Sequence, residues 1–578
     1  NDDKKLLAFS DSVQDAAHRA GFFTGRTFRF NLRGAIQQYV KAEGRGLALD
    51  RLPDGFIDYW QPEMGDETFI ATFLAPDMAW MADYEELKKT GRIPTDSTLL
   101  TDIKRRIGWE IYTEYGFRCR IGRSLEKTGC SIAGPDEKRL AEAVTACLDI
   151  LRNEIGALRD LDTERLERFV LGMLAHLRQQ GGVHHPILSG YIENQGNTYL
   201  LNKIPWMPGF GMSVRAPAFL SLKRVNRNRF DPLLSSRAGR PTWYESWAGK
   251  CFDPLSALVT PQIAPIYDIV LKALTGAGLL VETRVRDNRI WGIAPQALVI
   301  SDDVVQLRCR SCGYELSVPA ANERLWIGAP CLRFHCTGTY EALAPVQDYY
   351  GKLYASGDIE RIFAEEHTGL LDRDTRENLE ACFKKKDRDP WDPNLLSCTP
   401  TLEMGIDIGN LSSVILCSVP PAQANYLQRI GRAGRRDGNA LNLTVANARP
   451  HDLYFFAEPQ EMLAGDLDPP GVFLDASAVL ERQFTAFCMD CWVQTGIAEG
   501  AMPLQLRHVL GNLEKVNPEK FPHNFLAFIE NHRTDLFDRF IDIFSSSLSQ
   551  EAVAHLRRFV EGHRDQEGSL AYRIVDGL

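Results

Sequence analysis

Gln428 to Arg436 reads Gln-Arg-Ile-Gly-Arg-Ala-Gly-Arg-Arg, so two small-residue turns hold several guanidinium groups close together. A guanidinium donates two parallel hydrogen bonds from a rigid plane and keeps its charge at neutral pH, which makes such a cluster a grip for phosphate. The natural target is a γ-phosphate, where an arginine offsets the charge that develops on cleavage of a nucleoside triphosphate. The plainer alternative is an Arg-rich solvated loop. A second constellation is Cys309-x2-Cys312 with Cys331-x4-Cys336, 18 residues apart, followed by Gly313 and Gly338. Two hairpin knuckles bring four thiolates to one tetrahedral ion, and with sulfur at every position no place remains for water. The spacing therefore predicts a structural Zn2+. His335 is a candidate to replace one thiolate, and four unrelated buried thiols are the alternative. Cys488-Met489-Asp490-Cys491 has no second pair nearby and reads as helix core.

The elements that must position these residues alternate at both ends of the chain. Leu6-Leu7-Ala8-Phe9 is a short apolar strand ending at Ser10-Asp11-Ser12, with a helix from Gln14. From about Thr24 to Val346 the alternation stops, and from Asp348 it resumes. There follow a helix, His367-Thr368-Gly369, a charged helix over Arg373–Lys386, an apolar run Leu395–Cys398 with Thr399, and the loop Gly405-Ile406-Asp407-Ile408-Gly409. Strands Ser413–Cys417 and Leu441–Val445 bracket the arginine stretch. Strands separated by helices, with polar and glycine-containing loops at their ends, predict an α/β fold with a parallel sheet whose loops carry the site.

The large insertion reads as mostly helical. Lys104-Arg105-Arg106, Arg118, Arg120, Arg123 and Lys127 are interleaved with Trp109, Tyr112, Tyr115 and Phe117. That suits a stacking platform beside a phosphate track, or equally a helical packing face with solvated charges. Asp136–Gln180 is helical with a core-facing stripe at Leu140, Val144, Leu148, Ile150 and Leu151. Lys223, Arg224, Arg227, Arg229, Arg237 and Arg240 are either a backbone-contacting segment or a surface loop. A helix over Ile266–Leu274 and a hairpin turning at Asp287-Asn288 have the order of a winged helix, which either enters a groove or packs as a spacer. The expected domains are 1–23 with 347–450, then 24–250, a winged helix over 251–300, a zinc ribbon over 301–346 and a helical region over 451–578.

At 578 residues, 44% hydrophobic and 25% charged, the composition is that of globular domains. A net charge of −10 and a pI near 5.8 leave no overall basic footprint, so any nucleic-acid contact must be local. No run of eighteen apolar residues occurs, and the start Asn1-Asp2-Asp3-Lys4-Lys5 is unlike a secretion signal. The expectation is a soluble, cytoplasmic bacterial protein with no membrane partner; thirteen cysteines with four at metal spacing suit a reducing compartment. An initial Asn and an uncapped final helical pattern, Ser569–Leu578, are read as a fragment of a longer chain.

Taken together, Phe9-Ser10-Asp11-Ser12, His367-Thr368-Gly369, Thr399–Gly409 and Gln428–Arg436 resemble the second RecA-like domain of superfamily 2 helicases, of the bacterial DEAD/DEAH type and similar to the Lhr and MrfA groups. The resemblance covers the first 20 or so residues and Asp348–Ala448; the insertion and tail match loosely. It implies that Arg432 and Arg435 sense the nucleotide phosphates with Gln428 beside them, that Asp407 meets the ribose, and that Gly405 lets backbone approach closely. It also implies that Thr399, Thr368 with Gly369, and Ser10 and Ser12 touch the phosphates of a nucleic-acid strand, most naturally single-stranded or forked DNA; a helix cap explains the serines too. Neither Gly-x4-Gly-Lys-Ser/Thr nor an Asp-Glu-x-x box is found, so the phosphate cradle and Mg2+ ligand of ATP are expected from a first RecA-like domain in the same longer chain, without which this fragment is inactive as an ATPase. Genome maintenance and defence against phage DNA, with other subunits of such a complex, are the settings this suggests. A non-enzymatic, degenerate scaffold that binds nucleic acid is the competing reading.

Overall fold

The computed structural model describes residues 4–210, 216–222, 230–236, 240–344, 348–403, 411–434, 438–464, 473–498, 501–503, 505–514, 517–544 and 547–575. Five short strands form one sheet: β1 (Leu6–Phe9), β2 (Ala364–His367), β3 (Leu395–Cys398), β4 (Ser413–Leu416) and β5 (Leu441–Thr444). Their order is β2-β3-β1-β4-β5 and every neighbouring pair is parallel. The first strand of the chain thus occupies the centre, flanked by strands that arrive more than 350 residues later. Leu7, Ala8 and Phe9 are fully buried, as a central parallel strand with both faces covered requires. Leu7 and Phe9 share one apolar layer with Phe383, Leu396, Val414 and Leu416, while Ala8 joins Leu395 and Cys417 on the other face.

Helix α1 (Val13–Tyr39) follows β1, with the Ser12 hydroxyl accepting a hydrogen bond from Asp15 N at 3.1 Å. It passes the sheet, where Ala364 N donates to Thr24 Oγ1 at 3.4 Å, and continues across residue 23 into the insertion without a break. The helices α2 (Arg373–Lys384) and α3 (Gln423–Ile430) complete this half; Asp372 caps α2 by accepting from Thr375 N at 2.9 Å.

The insertion shares one core. Its helices include Leu99–Tyr115, Glu137–Glu154, Thr163–Gln180, Trp243–Cys251 and Ile263–Gly276. Of the predicted stripe, Leu140, Val144 and Leu151 are buried while Ile150 is exposed. In 104–128 the aromatic residues Trp109, Tyr115 and Phe117 are buried and Glu110 accepts from Arg106 at 2.9 Å and Arg118 at 2.7 Å, while Arg105, Arg120, Arg123 and Lys127 are exposed. Arg33 pairs with Glu114 and Arg178 with Glu126 in the same layer. The packing-face reading accounts for this part of the stretch, because a buried guanidinium needs a carboxylate partner. After Ile263–Gly276 come antiparallel strands Leu280–Val285 and Asn288–Ile293, with Val285 opposite Asn288. The turn is therefore Arg286-Asp287, with Arg286 at φ 56°, one residue earlier than the Asp-Asn dipeptide suggests. Two short strands, Leu220–Ser221 and Asp231–Pro232, extend this hairpin to four strands. Lys223, Arg224, Arg227, Arg229 and Arg237 lie outside the described residues.

The chain divides into two compact units, Asn1–Gly465 and Asp466–Leu578. The second is helical: Ser477–Gln494, His523–Phe544, Gln550–Glu561 and Leu570–Val575 enclose Phe484, Trp492, Phe525, Phe540 and Leu556. Cys488 and Cys491 are part of that core. Buried Glu481 ties three helices by accepting from His555 Nε2 at 2.7 Å and pairing with Arg573 at 2.8 Å.

Candidate phosphate-binding edge and metal centre

Parallel register sets the first site. Phe9 stands level with Cys398 and Leu416, and Cys398 with His367, so the next residues, Thr368, Thr399, Ser10 and Cys417, form one row at the carboxyl edge of the sheet. The ladder runs into that row: Thr399 N donates to His367 O at 3.4 Å, Ser10 N to Cys398 O at 2.8 Å and Cys417 N to Phe9 O at 2.9 Å. Ligands of open parallel sheets bind outside this edge. Gly369 is exposed there, while Thr399 is buried and in hydrogen-bonding contact with Thr401 at 3.1 Å. The Thr368 hydroxyl is buried with no hydrogen-bond partner among the described residues. Ser10 is buried as well, and the Ser12 hydroxyl is engaged as the α1 cap.

The arginine stretch is placed by α3. Tyr426, Ile430 and Ala433 pack against the sheet core, which leaves Gln428 exposed on the opposite side. Arg432 is buried at 5% exposure, in a turn closed by Gly434 N donating to Leu411 O at 3.0 Å. Gly434 sits at φ 71°, a conformation open to glycine and strained for larger residues. Leu411 directly follows 404–410, the segment that holds Gly405 and Asp407; those two and Arg435 lie outside the described residues. The arginine turn is thus fastened to Leu411, the first described residue after that segment.

Residues that the pattern of motifs did not single out close the other half of the edge. Asp11 accepts from Ser418 Oγ at 2.6 Å and lies 3.8 Å from Arg449 and 4.0 Å from Arg429, whose guanidinium covers the Phe9 ring at 5.5 Å. Asp11, Asp15, Arg19, Ser418, Asn447 and Arg449 line a cavity of ≈ 340 Å³. Behind it, Asp452 is buried: desolvation opposes its charge, but the N–H groups of Asn447 (2.9 Å) and Val419 (3.3 Å), with His451, hold its carboxyl below the ordinary range. Asp11, Ser418, Asn447 and Arg449 follow the ends of β1, β4 and β5, so no local pattern announces their meeting.

The cysteines form the second site. Strands Val304–Cys309 and Glu315–Pro319 make a hairpin with Cys309 and Cys312 at its tip, and Tyr340–Ala342 pairs with the first strand. All four Sγ atoms lie within 4.8 Å of one another, at 3.6 Å for Cys309–Cys336 and 3.7 Å for Cys312–Cys331. A tetrahedron of Zn–S bonds of about 2.3 Å has sulfur–sulfur edges of about 3.8 Å, so the arrangement fits that ion. Arg333 N and Gly338 N donate to the sulfurs of Cys331 and Cys336 at 3.4 and 3.3 Å, as ligand thiolates would ask. Gly338 is a close approach, since an added Cβ would stand 2.8 Å from Cys309 Sγ, and Gly313 turns at φ 66°. His335 is exposed and outside the cluster.

Residues 350–437 match the model of the helicase conserved C-terminal domain family. The segment that holds β2, β3 and β4 is thus similar to a helicase C-terminal domain. The family match begins after the insertion, so β1 joins the sheet of the matched segment from outside the matched span. Among curated proteins, the chain is similar to the Druantia protein DruE of Escherichia coli, 32% identical over 169 residues, which cover 27% of this chain and 9% of DruE. It is also similar to the ATP-dependent helicase HRQ1 of Saccharomyces cerevisiae, 42% identical over 14% of this chain and 8% of that protein. A solved structure, the DUF1998 helicase MrfA bound to DNA, aligns at 24% identity over 21% of this chain and 16% of its own, with a TM-score of 0.19, too small an overlap to bear on the fold. The matched segments thus span about a tenth of the length of the curated relatives.

Proposed function

We propose that this chain supplies the C-terminal motor half of an ATP-dependent nucleic-acid translocase or helicase acting on DNA. The observation that carries the reading is the single row of Thr368, Thr399 and Ser10 at the carboxyl edge of a helicase C-terminal domain. In this reading the Gly369 backbone and the Thr399–Thr401 hydroxyls hold strand phosphates, a contact that tracks without reading sequence. Arg432 and Arg435, with Gln428, neutralise the γ-phosphate of ATP·Mg2+ bound by a first RecA-like domain, and Asp407 meets the ribose, with Gly405 giving room. Because Arg432 is buried here, the Gly431–Gly434 turn must present it when the nucleotide-bearing domain docks. Closing and opening of that cleft with ATP turnover would shift the strand-holding edge stepwise. The Ile263–Ile293 helix and hairpin act as a winged helix and the four-cysteine hairpin as a zinc ribbon, both beside the nucleic acid, in a cytoplasmic genome-maintenance or phage-defence complex.

The test is DNA-stimulated ATP hydrolysis by the complete gene product. Arg432→Ala should reduce stimulated turnover by about 10³-fold or more while DNA binding persists. Unchanged turnover in that variant, or no stimulation by DNA in the parent protein, would refute the reading.

A further inference from the structure

Helix α1 carries an exposed face that the edge chemistry does not use. Phe22, Arg26 and Arg29 are spaced by four and three residues, so they stand on one side over about 10 Å of helix. Phe22 is 50% exposed, and the Arg26 guanidinium lies 5.3 Å from its ring centroid. Gly21 and Gly25 flank this stripe, and an added Cβ at either would meet nothing within 4 Å. Packing therefore does not ask for glycine at these two helix-interior positions, where it costs about 1 kcal/mol relative to alanine. What they do is leave the backbone beside the Phe22 ring open to close approach.

One turn beyond Arg29, buried Arg33 donates to the carbonyls of Arg123 at 3.0 Å and Ile121 at 3.4 Å, which lays the 118–123 loop against the helix. That loop exposes Arg120, Ile121 and Arg123. Arg120 stacks over Tyr314 of the cysteine hairpin at 4.5 Å and Arg123 over Tyr350 at 5.3 Å. Among the described residues, no carboxylate lies within 4.0 Å of Arg26, Arg29, Arg120 or Arg123, although their neighbour Arg118 is paired with Glu110. Partial desolvation of the exposed Arg29 and the nearby cations Arg118, Arg33 and Arg26 lower its pKa, against the opposing pull of Glu110. In a chain of net charge −10, this is a local concentration of unpaired positive charge around an exposed ring.

We propose that Phe22, Arg26 and Arg29, with Arg120, Ile121 and Arg123, form a second contact surface for single-stranded nucleic acid, separate from the carboxyl edge of the sheet. The arginines take backbone phosphates and the Phe22 ring takes the face of a base. A base needs only a flat exposed ring on a convex helix, whereas a docking side chain needs a pocket, and this favours nucleic acid over an acidic protein. The surface runs from the helicase domain to the cysteine hairpin, which gives the insertion a role in holding the strand. The inference rests on the reading that the chain acts on nucleic acid.

The test uses the 578-residue chain and labelled oligo-dT and oligo-U of about 16 nucleotides, with binding followed by anisotropy between about 50 and 200 mM salt. Arg26→Ala/Arg29→Ala should weaken binding about tenfold and lower the slope of log K against log salt by about 1.4, two single-strand phosphate contacts. Phe22→Ala should weaken binding about fivefold or more and leave the slope unchanged, as loss of stacking does. Arg29→Lys, which keeps the charge, should keep the slope and so separates lost contact from lost fold. If the double variant binds within twofold of the parent while Gly369→Asp at the sheet edge weakens binding, the surface is unused and the proposal is wrong, though the nucleic-acid reading stands. If the parent chain binds neither oligonucleotide, both fall. If poly-glutamate competes as well as oligonucleotide at equal charge and Phe22→Ala has no effect, the face is a general anion surface and the proposal is again wrong.

Discussion

Removing one thiolate of the cysteine cluster should unfasten much more than a metal ion. Two of the sulfur–sulfur edges are 3.6 and 3.7 Å, across two knuckles that a strand pair and the hydrogen bond from Arg310 N to Thr339 O at 3.0 Å also join, so the ion adds to the ties that hold the knuckles together. Structural zinc sites of this type contribute about 10–16 kcal/mol of apparent binding free energy, comparable with the whole stability of a domain. The hairpin in turn anchors helix Trp243–Cys251: Trp243 Nε1 donates to Leu332 O at 2.8 Å, and Lys250 Nζ to Arg333 O at 2.7 Å and Cys331 O at 3.1 Å. It also holds the 126–130 turn, through Ser317 Oγ donating to Glu126 O at 2.6 Å and Gln306 Nε2 to Lys127 O at 2.9 Å. Cys331→Ser, at a fully buried ligand, should therefore abolish stoichiometric zinc, change the emission of Trp243 and lower the melting temperature of the insertion. Elemental analysis, tryptophan fluorescence and calorimetry on the same preparation measure all three. Cys488→Ser, in the separate helical unit, should keep full zinc. Retention of one zinc per chain with an unchanged melting curve in Cys309→Ser/Cys331→Ser would refute the assignment.

Glu110→Gln leaves Arg118 without its carboxylate and Arg106 with only the Asp77 carboxylate, and should cost about 1–3 kcal/mol in denaturant unfolding, with the slope unchanged. The ionised form of Asp452 is favoured in the folded chain, so its contribution is complete above the unfolded carboxyl pKa of about 3.9 and is lost as pH falls through the lower folded value. Asp452→Asn should lower stability at neutral pH by about 1–3 kcal/mol and flatten the loss of melting temperature below about pH 4. Gly172→Val places a side chain into the Trp247 indole, and should destabilise the insertion by about 1–3 kcal/mol or more in thermal melts, whereas Gly156→Ala, with open space around it, should not.

How much of this was legible follows from which interactions are local. Strand β1 is a four-residue apolar run and β3 and β4 each hold three apolar residues and one serine, and burial makes such runs readable without alternation. The order β2-β3-β1-β4-β5 was not legible, because it depends on pairing across the whole insertion. The cysteine spacing was readable because each knuckle is a local turn. The basic and aromatic run at 104–128 misled in part, since composition does not say which charges are paired; the i,i+4 spacing of Arg106 and Glu110 was the available signal. Asp11, Ser418 and Arg449 meet only because three parallel strands end side by side.

The central position of β1 also explains why an insertion of this size is compatible with a helicase domain. The chain leaves the sheet along α1, whose 27 residues span about 40 Å, and this one helix is fastened at both ends. Near its start, Ser12 caps it at the carboxyl edge; near its end, Gln37 Nε2 donates to Cys130 O at 3.2 Å and Gln38 Nε2 to Gly357 O at 2.7 Å. On the return path, Arg361 is buried just before β2, donates to the carbonyl of Ala71 at 2.8 Å and lies over the rings of Phe28 and Phe363. Burial depresses its pKa to about 10, a cost the fold bears to clamp outgoing and returning chain together. Two connections fixed so closely leave little freedom between sheet and insertion. In the proposed function, a displacement of the sheet edge would then carry the α1 face and the cysteine hairpin with it, and a nucleic-acid strand held on both would be drawn along as one segment.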